Sequence, residues 1–384
     1  MGNGGGMILL EHGPEGRAAL FDGALSVVQA WAADDVVPAL AALDAARAEG
    51  RWVAGWMAYE AGYALEDRLG GLMPADAGPL LCFGIYEAPQ DTSAVLAQAK
   101  AEARVRIAPV VPMVSGAEYG AAFAKVMEYI GAGDCYQINL TFPMESRLLE
   151  GSALGLYGAL RARQAVGYGA FCDFGPGVPV LVSRSPELFL RTEAGGRIES
   201  RPMKGTALRD ADPVRDAEVA EELRLSEKNR AENLMIVDLL RNDISKIARV
   251  GSVKVPSLFA VESYATVHQM ISRVVGEMVE KPSMAGLMPA LFPCGSITGA
   301  PKIRAMEIIR EVEPFARGAY CGAVGWMAPD GESCFSVAIR TLSLTGDRIV
   351  LNVGGGVVQD STAEGEWEEA HWKARYLTGL ISLA

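Results

Sequence analysis

The sequence predicts an antiparallel-rich α+β fold, and three observations carry that expectation. Strand-like apolar segments follow one another closely at 168–174, 178–183 and 188–192, a spacing that suits hairpins and leaves no room for crossover helices. Long helical segments stand beside these strand runs instead of alternating with each strand. No G-x-G-x-x-G follows a strand and no P-loop sequence occurs, so a doubly wound nucleotide-binding sheet has no motif behind it.

Taken in order, alanines and leucines recur at helical spacing over 35–47. Residues 91–112, alanine- and charge-rich and ending in APVVP, form a connecting helix and linker. This linker divides an N-terminal portion, 1–112, from a catalytic portion, 113–384, within one integrated domain. Ser115 and Glu118 have the capping-box spacing ahead of an amphipathic helix over 119–130. Strands are expected at 136–143, 168–174, 178–183, 188–192, 319–327, 333–343 and 348–353, and further helices at 213–247, 301–312 and 362–380.

The 384 residues, half of them hydrophobic, can bury a large core. A formal net charge of −12 disfavours non-specific nucleic-acid binding, and it obliges any anionic substrate to find a locally positive pocket. The six cysteines show no CxxC pair, which argues against a disulfide framework or zinc site and for a reducing, cytoplasmic setting. The start of the chain has no basic segment followed by an apolar run, and Gly6 stands where a myristoylation signal needs Ser or Thr. Its glycines suggest a frayed tail, with Met7 as an alternative start. Charges interrupt every apolar stretch, so no membrane span is expected.

The chemistry centres on Lys204, in the stretch ESRPMKGT at 199–206. Held between a proline turn and Gly205, it becomes a nucleophile if desolvation or a neighbouring cation such as Arg201 removes its proton. A surface lysine in a loop is the other reading. Glu232 on one helix, with Glu366 and Glu369 three apart on another, forms the kind of carboxylate set that Mg²⁺ uses, or else a solvated acidic face. Gly354 to Gly356 present either backbone amides to a carboxylate or a tight turn. Ser296, Thr298 and the helix start at Pro301, with Lys302 nearby, make an anion cradle or an ordinary capped helix. Arg340 and Lys373 suit a second carboxylate, or are solvated charges. His268 is an acid or base, or a satisfied core histidine.

Six ordered segments then resemble the chorismate-utilising enzymes, and within them the aminodeoxychorismate synthase component I branch. These are GDCYQINLT at 133–141, SPE at 185–187, RPMKGT at 201–206, AENLMIVDLLRND at 231–243, GSITGAPKIRAME at 295–307 and GGGVV at 354–358, closed by the helix that carries Lys373. The resemblance spans residues 115–384 and fades toward the N-terminus.

It implies two packed antiparallel sheets with helices outside and an active site in the cleft between them. Glu232 and Glu369 would contact Mg²⁺, with Glu366 acting through its waters. Tyr320, Arg340, Gly354, Gly356 and Lys373 would hold the two carboxylates of chorismate, while Ser296 and His268 line its ring. Relatives that add water to chorismate carry a lysine base where this chain has Gln137, and neutral glutamine cannot deprotonate water. Anthranilate synthases usually have alanine where this chain has Lys204. In the aminating branch that lysine attacks ring C2 while Glu187 protonates the departing 4-hydroxyl, and ammonia then displaces the lysine by attack at C4.

None of the cysteines sits on a glycine-flanked elbow, so ammonia would come from a separate glutamine amidotransferase or from solution. With no fused lyase after Ala384, the product would stop at 4-amino-4-deoxychorismate, on the route to 4-aminobenzoate and folate. Two positions depart from the pattern. Asn229 replaces a glutamate of the anthranilate relatives, which weakens the negative charge near the metal waters. Leu9-Leu10-Glu11-His12 only partly echoes the segment that forms a tryptophan pocket in larger relatives. The alternatives are an anthranilate synthase or dual-activity enzyme, told apart by product regiochemistry, and a non-catalytic chorismate-binding scaffold. The joint presence of Lys204, Glu187, Glu232, Glu366 and Glu369 argues against a scaffold.

Overall fold

The structure is a computed structural model that describes residues 6–264 and 267–381. The first five residues, expected as a frayed tail, lie outside the described residues. The chain opens with β1 (Met7–Leu10), β2 (Ala19–Phe21), β3 (Ser26–Ala30), α1 (Ala33–Ala48), β4 (Trp52–Met57), α2 (Ala61–Ala64), β5 (Leu81–Tyr86), α3 (Ser93–Ala101), β6 (Arg106–Ile107) and β7 (Val111–Pro112). It continues with α4 (Gly116–Ala132), β8 (Gln137–Glu150), α5 (Ala153–Arg163), β9 (Tyr168–Asp173), β10 (Val180–Ser185), β11 (Leu188–Thr192), β12 (Arg197–Arg201), β13 (Met203–Leu208), α6 (Pro213–Leu225) and α7 (Glu227–Ser245). The remainder is β14 (Lys254–Ser263), β15 (Val267–Glu277), α8 (Met284–Leu291), β16 (Gly299–Ala300), α9 (Lys302–Val312), β17 (Ala323–Met327), β18 (Ser333–Val337), β19 (Thr341–Thr345), β20 (Arg348–Val357) and α10 (Ala363–Lys373).

Among the described residues the strands form two large antiparallel sheets. One runs β16-β8-β20-β19-β10-β9-β1-β2, with β6 and β7 also on β8. The other runs β13-β15-β12-β11-β18-β17-β4-β5-β3, with β14 also on β15. The strand period explains how they pack. Side chains alternate across a sheet, so one strand can feed two cores. Ile8 and Leu10 enter the smaller core between the sheets, together with Ala54, Trp56, Val324 and Trp326. Their neighbours Leu9, Val53, Met57, Ala323 and Met327 face outward into the larger core beneath the helices. Strands buried on both faces read as continuous apolar runs, which is how β4 and β17 appear in the sequence.

Strands from both sides of residue 112 share each sheet, since β1 pairs with β9 and β4 with β17. The side chain of Glu60 strengthens this weave by accepting from the backbone N–H groups of Arg317 at 2.6 Å and Gly318 at 3.0 Å.

Several elements differ from the sequence expectation. The helix expected over 213–247 is two, broken where Ser226 adopts extended backbone and its hydroxyl accepts from the Asn229 N–H. The strand expected over 333–343 is also two, because Arg340 takes a left-handed φ of 50°. The turn considered for Gly354 to Gly356 does not form. The three glycines continue β20 and pair with Thr141, Leu140 and Asn139 of β8. Strands β12 to β15 and helix α8 are absent from the sequence expectation, and the Lys204 segment at 199–206, read as a constrained loop, lies on the end of β12 and most of β13. All six cysteines are free and buried, and no described helix is long and apolar enough to cross a membrane.

Candidate active site

Where the open ends of the sheets meet α7 and α10, they enclose a cavity of about 610 Å³. Eleven of the sequence-nominated residues line it: Glu187, Lys204, Glu232, Ser296, Tyr320, Arg340, Gly354, Gly356, Glu366, Glu369 and Lys373. They arrive from separate elements for local reasons. Lys204 sits at a register shift in β13, between the Met203–Ile271 and Thr206–Gln269 pairs, and the irregularity turns its side chain inward. Gly205 takes φ 91° there, and a Cβ at that position would lie 3.0 Å from Asn229. The space at Gly205 therefore accommodates Asn229 on α7. Arg340 enters the cavity from its left-handed position, while its carbonyl accepts from the Arg184 N–H at 3.0 Å. Glu366, Glu369 and Lys373 fall on one face of α10, a helix whose first turn is capped by the Thr362 hydroxyl.

Burial dominates the electrostatics. The Glu187 carboxyl is pushed up to about 7 by burial, against the opposing pull of a hydrogen bond from Ser296 and the charge of Lys204. Its Oε1 has no hydrogen-bond partner among the described residues. The Lys204 ammonium is pulled down by burial and by Lys373, although Glu232, Glu187 and Glu369 act in the other direction. Arg201, considered as the neighbouring cation, is instead paired with Glu262 and does not supply this effect. Burial also pulls the Arg340 guanidinium down, and among the described residues no carboxylate pairs with it. A half-buried, uncompensated guanidinium is costly, and an anionic guest would relieve it.

The acidic wall is more crowded. Glu366 is raised by burial, with Glu369 adding to the effect, while its Oε1 accepts from Ser361 Oγ at 2.7 Å. On Glu369 burial acts upward but is outweighed by Lys373, 2.8 Å away, so the net direction is down. Lys373 also donates to the Gly354 carbonyl at 2.7 Å. A Cβ on Gly355 would lie 2.6 Å from Glu366 Oε2, so the glycine is what lets this carboxylate rest against β20. Among the described residues, no group of three or more acidic, histidine or cysteine side chains is placed to hold a metal ion together.

Three nominated residues stand elsewhere. His268 does not line the cavity: its Nε2 meets Asp216 Oδ1 at 2.9 Å and its Nδ1 meets Ser263 Oγ at 2.8 Å, which makes it a satisfied core histidine. Strand alternation explains the difference. The next residue, Gln269, points the opposite way, into the cavity, and donates to Thr206 Oγ1 at 2.6 Å. Thr298 is fully buried, and its hydroxyl donates to the Gly295 carbonyl at 3.2 Å, so it braces the turn before α9. Lys302 is tied to Asp243 and the Leu291 carbonyl and is not free to serve an anion cradle. Sequence reasoning passed over Gln269, Lys228, Asn139 and Tyr376, all of which line the cavity. Only Gln269 carried a usable signal, as the neighbour of a singled-out histidine on a strand.

A family model for chorismate binding enzymes matches residues 6–379. The chain belongs to that family. Among similar proteins, aminodeoxychorismate synthase component 1 of Escherichia coli (strain K12) is 43% identical over 252 residues, covering 66% of this chain and 55% of that protein. Aminodeoxychorismate synthase of Streptomyces griseus is 44% identical over 255 residues, 66% of this chain and 35% of that one. Anthranilate synthase component 1 of Aquifex aeolicus (strain VF5) is 40% identical over 260 residues, 68% and 52% of the two chains. The matched stretch thus spans about half or less of the relatives' own length. Anthranilate synthase component I from Streptococcus pneumoniae TIGR4 has the same fold, with a TM-score of 0.75 at 24% identity over 97% of this chain and 90% of that one.

Proposed function

We propose that this family member aminates chorismate at C4 with ammonia to give 4-amino-4-deoxychorismate, through a covalent adduct on Lys204. The observation that carries the reading is the joint placement of Lys204 and Glu187 in one cavity, with burial pushing both toward their neutral forms. The relatives named aminodeoxychorismate synthase support the substrate and reaction class.

The neutral Lys204 amine attacks ring C2, both conjugated ring double bonds shift by one position, and the C4–O bond breaks. Protonated Glu187 gives its proton to the departing hydroxyl, which leaves as water. Ammonia then bonds to C4, both double bonds shift back, and the C2–N bond breaks with its electron pair returning to Lys204. The new ammonium gives one proton to Glu187, which restores both groups. The unpaired Arg340 suits one substrate carboxylate, with Tyr320 and Ser296 beside it in the cavity.

Glu232, Glu366 and Glu369 would hold Mg²⁺. Their fit rests on the raised Glu366 carboxyl, whose ionised form a nearby cation would favour, and on the ion's habit of taking one or two carboxylates and keeping several waters. When bound, Mg²⁺ would offset the charge of a substrate carboxylate. A separate glutamine amidotransferase would supply ammonia, and the six unpaired cysteines suit the cytoplasm.

The test is to incubate the chain with chorismate, Mg²⁺ and an ammonium salt and to identify the product by chromatography and mass. A product that retains its enolpyruvyl group and gives 4-aminobenzoate with an added lyase supports the proposal. Release of anthranilate and pyruvate overturns it.

A further inference from the structure

Gln137, at the start of β8, has no solvent exposure. Neither its Oε1 nor its Nε2 has a hydrogen-bond partner among the described residues. Buried carboxamides are rarely left unpaired at both ends, because each orphaned group has lost its water and gained nothing in return. Its surroundings show what it faces. A Cβ added to Gly356 would lie 3.0 Å from Gln137 Cδ, 3.1 Å from Gln137 Nε2 and 3.1 Å from Lys204 Nζ. The carboxamide and the lysine amine therefore crowd the same point on β20, and only the missing side chain of Gly356 leaves room for both. Lys204 itself donates to no acceptor among the described residues.

We infer that Gln137 is a positioning residue for Lys204: the structure sets its Nε2 beside the amine, and a half-turn of the unpaired carboxamide brings Oε1 there to accept one N–H, so that the lone pair is aimed into the cavity at the substrate ring. The inference rests on the Lys204 route proposed above. A lysine side chain has four rotatable bonds, and an amine that must approach one carbon along one line gains from a fixed acceptor behind it. A neutral amide suits this place. A carboxylate there would pair with Lys204 and hold it as an ammonium, which has no lone pair to offer.

The physical signature is separable from a packing role. Replacing the buried carboxamide with an apolar side chain of similar shape gives up at most the one proposed contact to Lys204 and removes an orphaned amide N–H, so Q137M should fold about as well as the parent chain. The experiment compares the parent chain, Q137M, Q137E and K204M. Three readouts are taken: intact mass after mixing with chorismate and Mg²⁺ without ammonia, steady-state amination with ammonium salt, and the thermal midpoint. The inference expects the parent to accumulate a Lys204 adduct equal to chorismate minus water. Q137M should form it at least about tenfold more slowly with KM for chorismate within about threefold and no loss of thermal midpoint, and Q137E more slowly still.

An adduct on Q137M at the parent rate overturns the inference and leaves the Lys204 route standing. A Q137M midpoint that falls along with its activity also overturns it, since that is the mark of a packing role. If the parent forms no adduct and K204M aminates at the parent rate, the Lys204 route fails and this inference fails with it.

Discussion

Glu187 and Lys204 attract each other across one cavity, yet burial overrides the attraction in both. The carboxyl is pushed up to about 7 and the ammonium is pulled down, so near neutral pH the pair shifts from an ion pair toward two uncharged groups. Chemistry that needs an acid and a nucleophile together depends on that shift.

The pH profile of amination should follow from it. Turnover requires Glu187 protonated and Lys204 neutral, so kcat should fall above about pH 7 as the carboxyl ionises and fall again on the acid side as the amine protonates. E187Q keeps the shape but cannot give up a proton, and should lose about 10²- to 10⁴-fold in kcat. Steady-state rates from pH 5.5 to 9 check this, and an unchanged alkaline limb in E187Q would remove Glu187 from the assignment.

Stability should respond in the opposite sense to an ordinary carboxylate. The folded carboxyl titrates near 7 and the unfolded one near 4.5, so between those values the native state binds more protons. Stability from this group therefore declines as pH rises through that window. Urea unfolding should show E187Q gaining on the parent chain at pH 8 and matching it below pH 4.5.

Behind the cavity, Glu313 and Arg317 form a buried pair, with Arg317 Nη2 2.8 Å from Glu313 Oε1. Glu313 also accepts from the Thr141 N–H at 2.8 Å, and Arg317 donates to the Asn139 carbonyl at 2.6 Å, so the pair ties β8 to the segment carrying Tyr320. E313A leaves a buried guanidinium unpaired and should cost about 3–5 kcal/mol in urea unfolding. The double variant E313L/R317M should recover most of that loss, because it removes both charges.

Gly355 and Gly354 should behave differently despite being neighbours. A Cβ at Gly355 meets the movable carboxylate of Glu366 at 2.6 Å, whereas one at Gly354 meets the Leu140 carbonyl oxygen of the backbone at 2.2 Å. G355A should fold and raise the Mg²⁺ concentration for half-maximal activity by about tenfold or more, and G354A should fail to fold or melt far lower. Chelation of Mg²⁺ should abolish turnover in the parent chain and leave its melting midpoint nearly unchanged, with activity returning on re-addition.

The sequence reveals most of the cavity and less of the scaffold, for identifiable reasons. Lys204, Glu187 and the α10 carboxylates lie in long distinctive segments, whereas Gln269 is a single amide whose facing depends on strand register. Strand β14 contains Pro256 and lies mostly half-exposed, and α8 contains Pro289 after a short apolar run, so local composition argues against both elements. The break at Ser226 depends on one hydroxyl cap inside a strongly helical stretch. The left-handed Arg340 is imposed by tertiary placement, since nothing local favours an arginine there.

The weave of β1 and β4 into sheets built mostly from later residues carries a consequence for recombination. A chimera that swapped the segment before residue 112 between family members would need to rematch the β1–β9 and β4–β17 registers and the Glu60 contact with the Arg317 turn at the same time. The connecting segment at 91–112 looks like a natural cut in the primary structure, but the joints that such an exchange must respect lie inside the sheets.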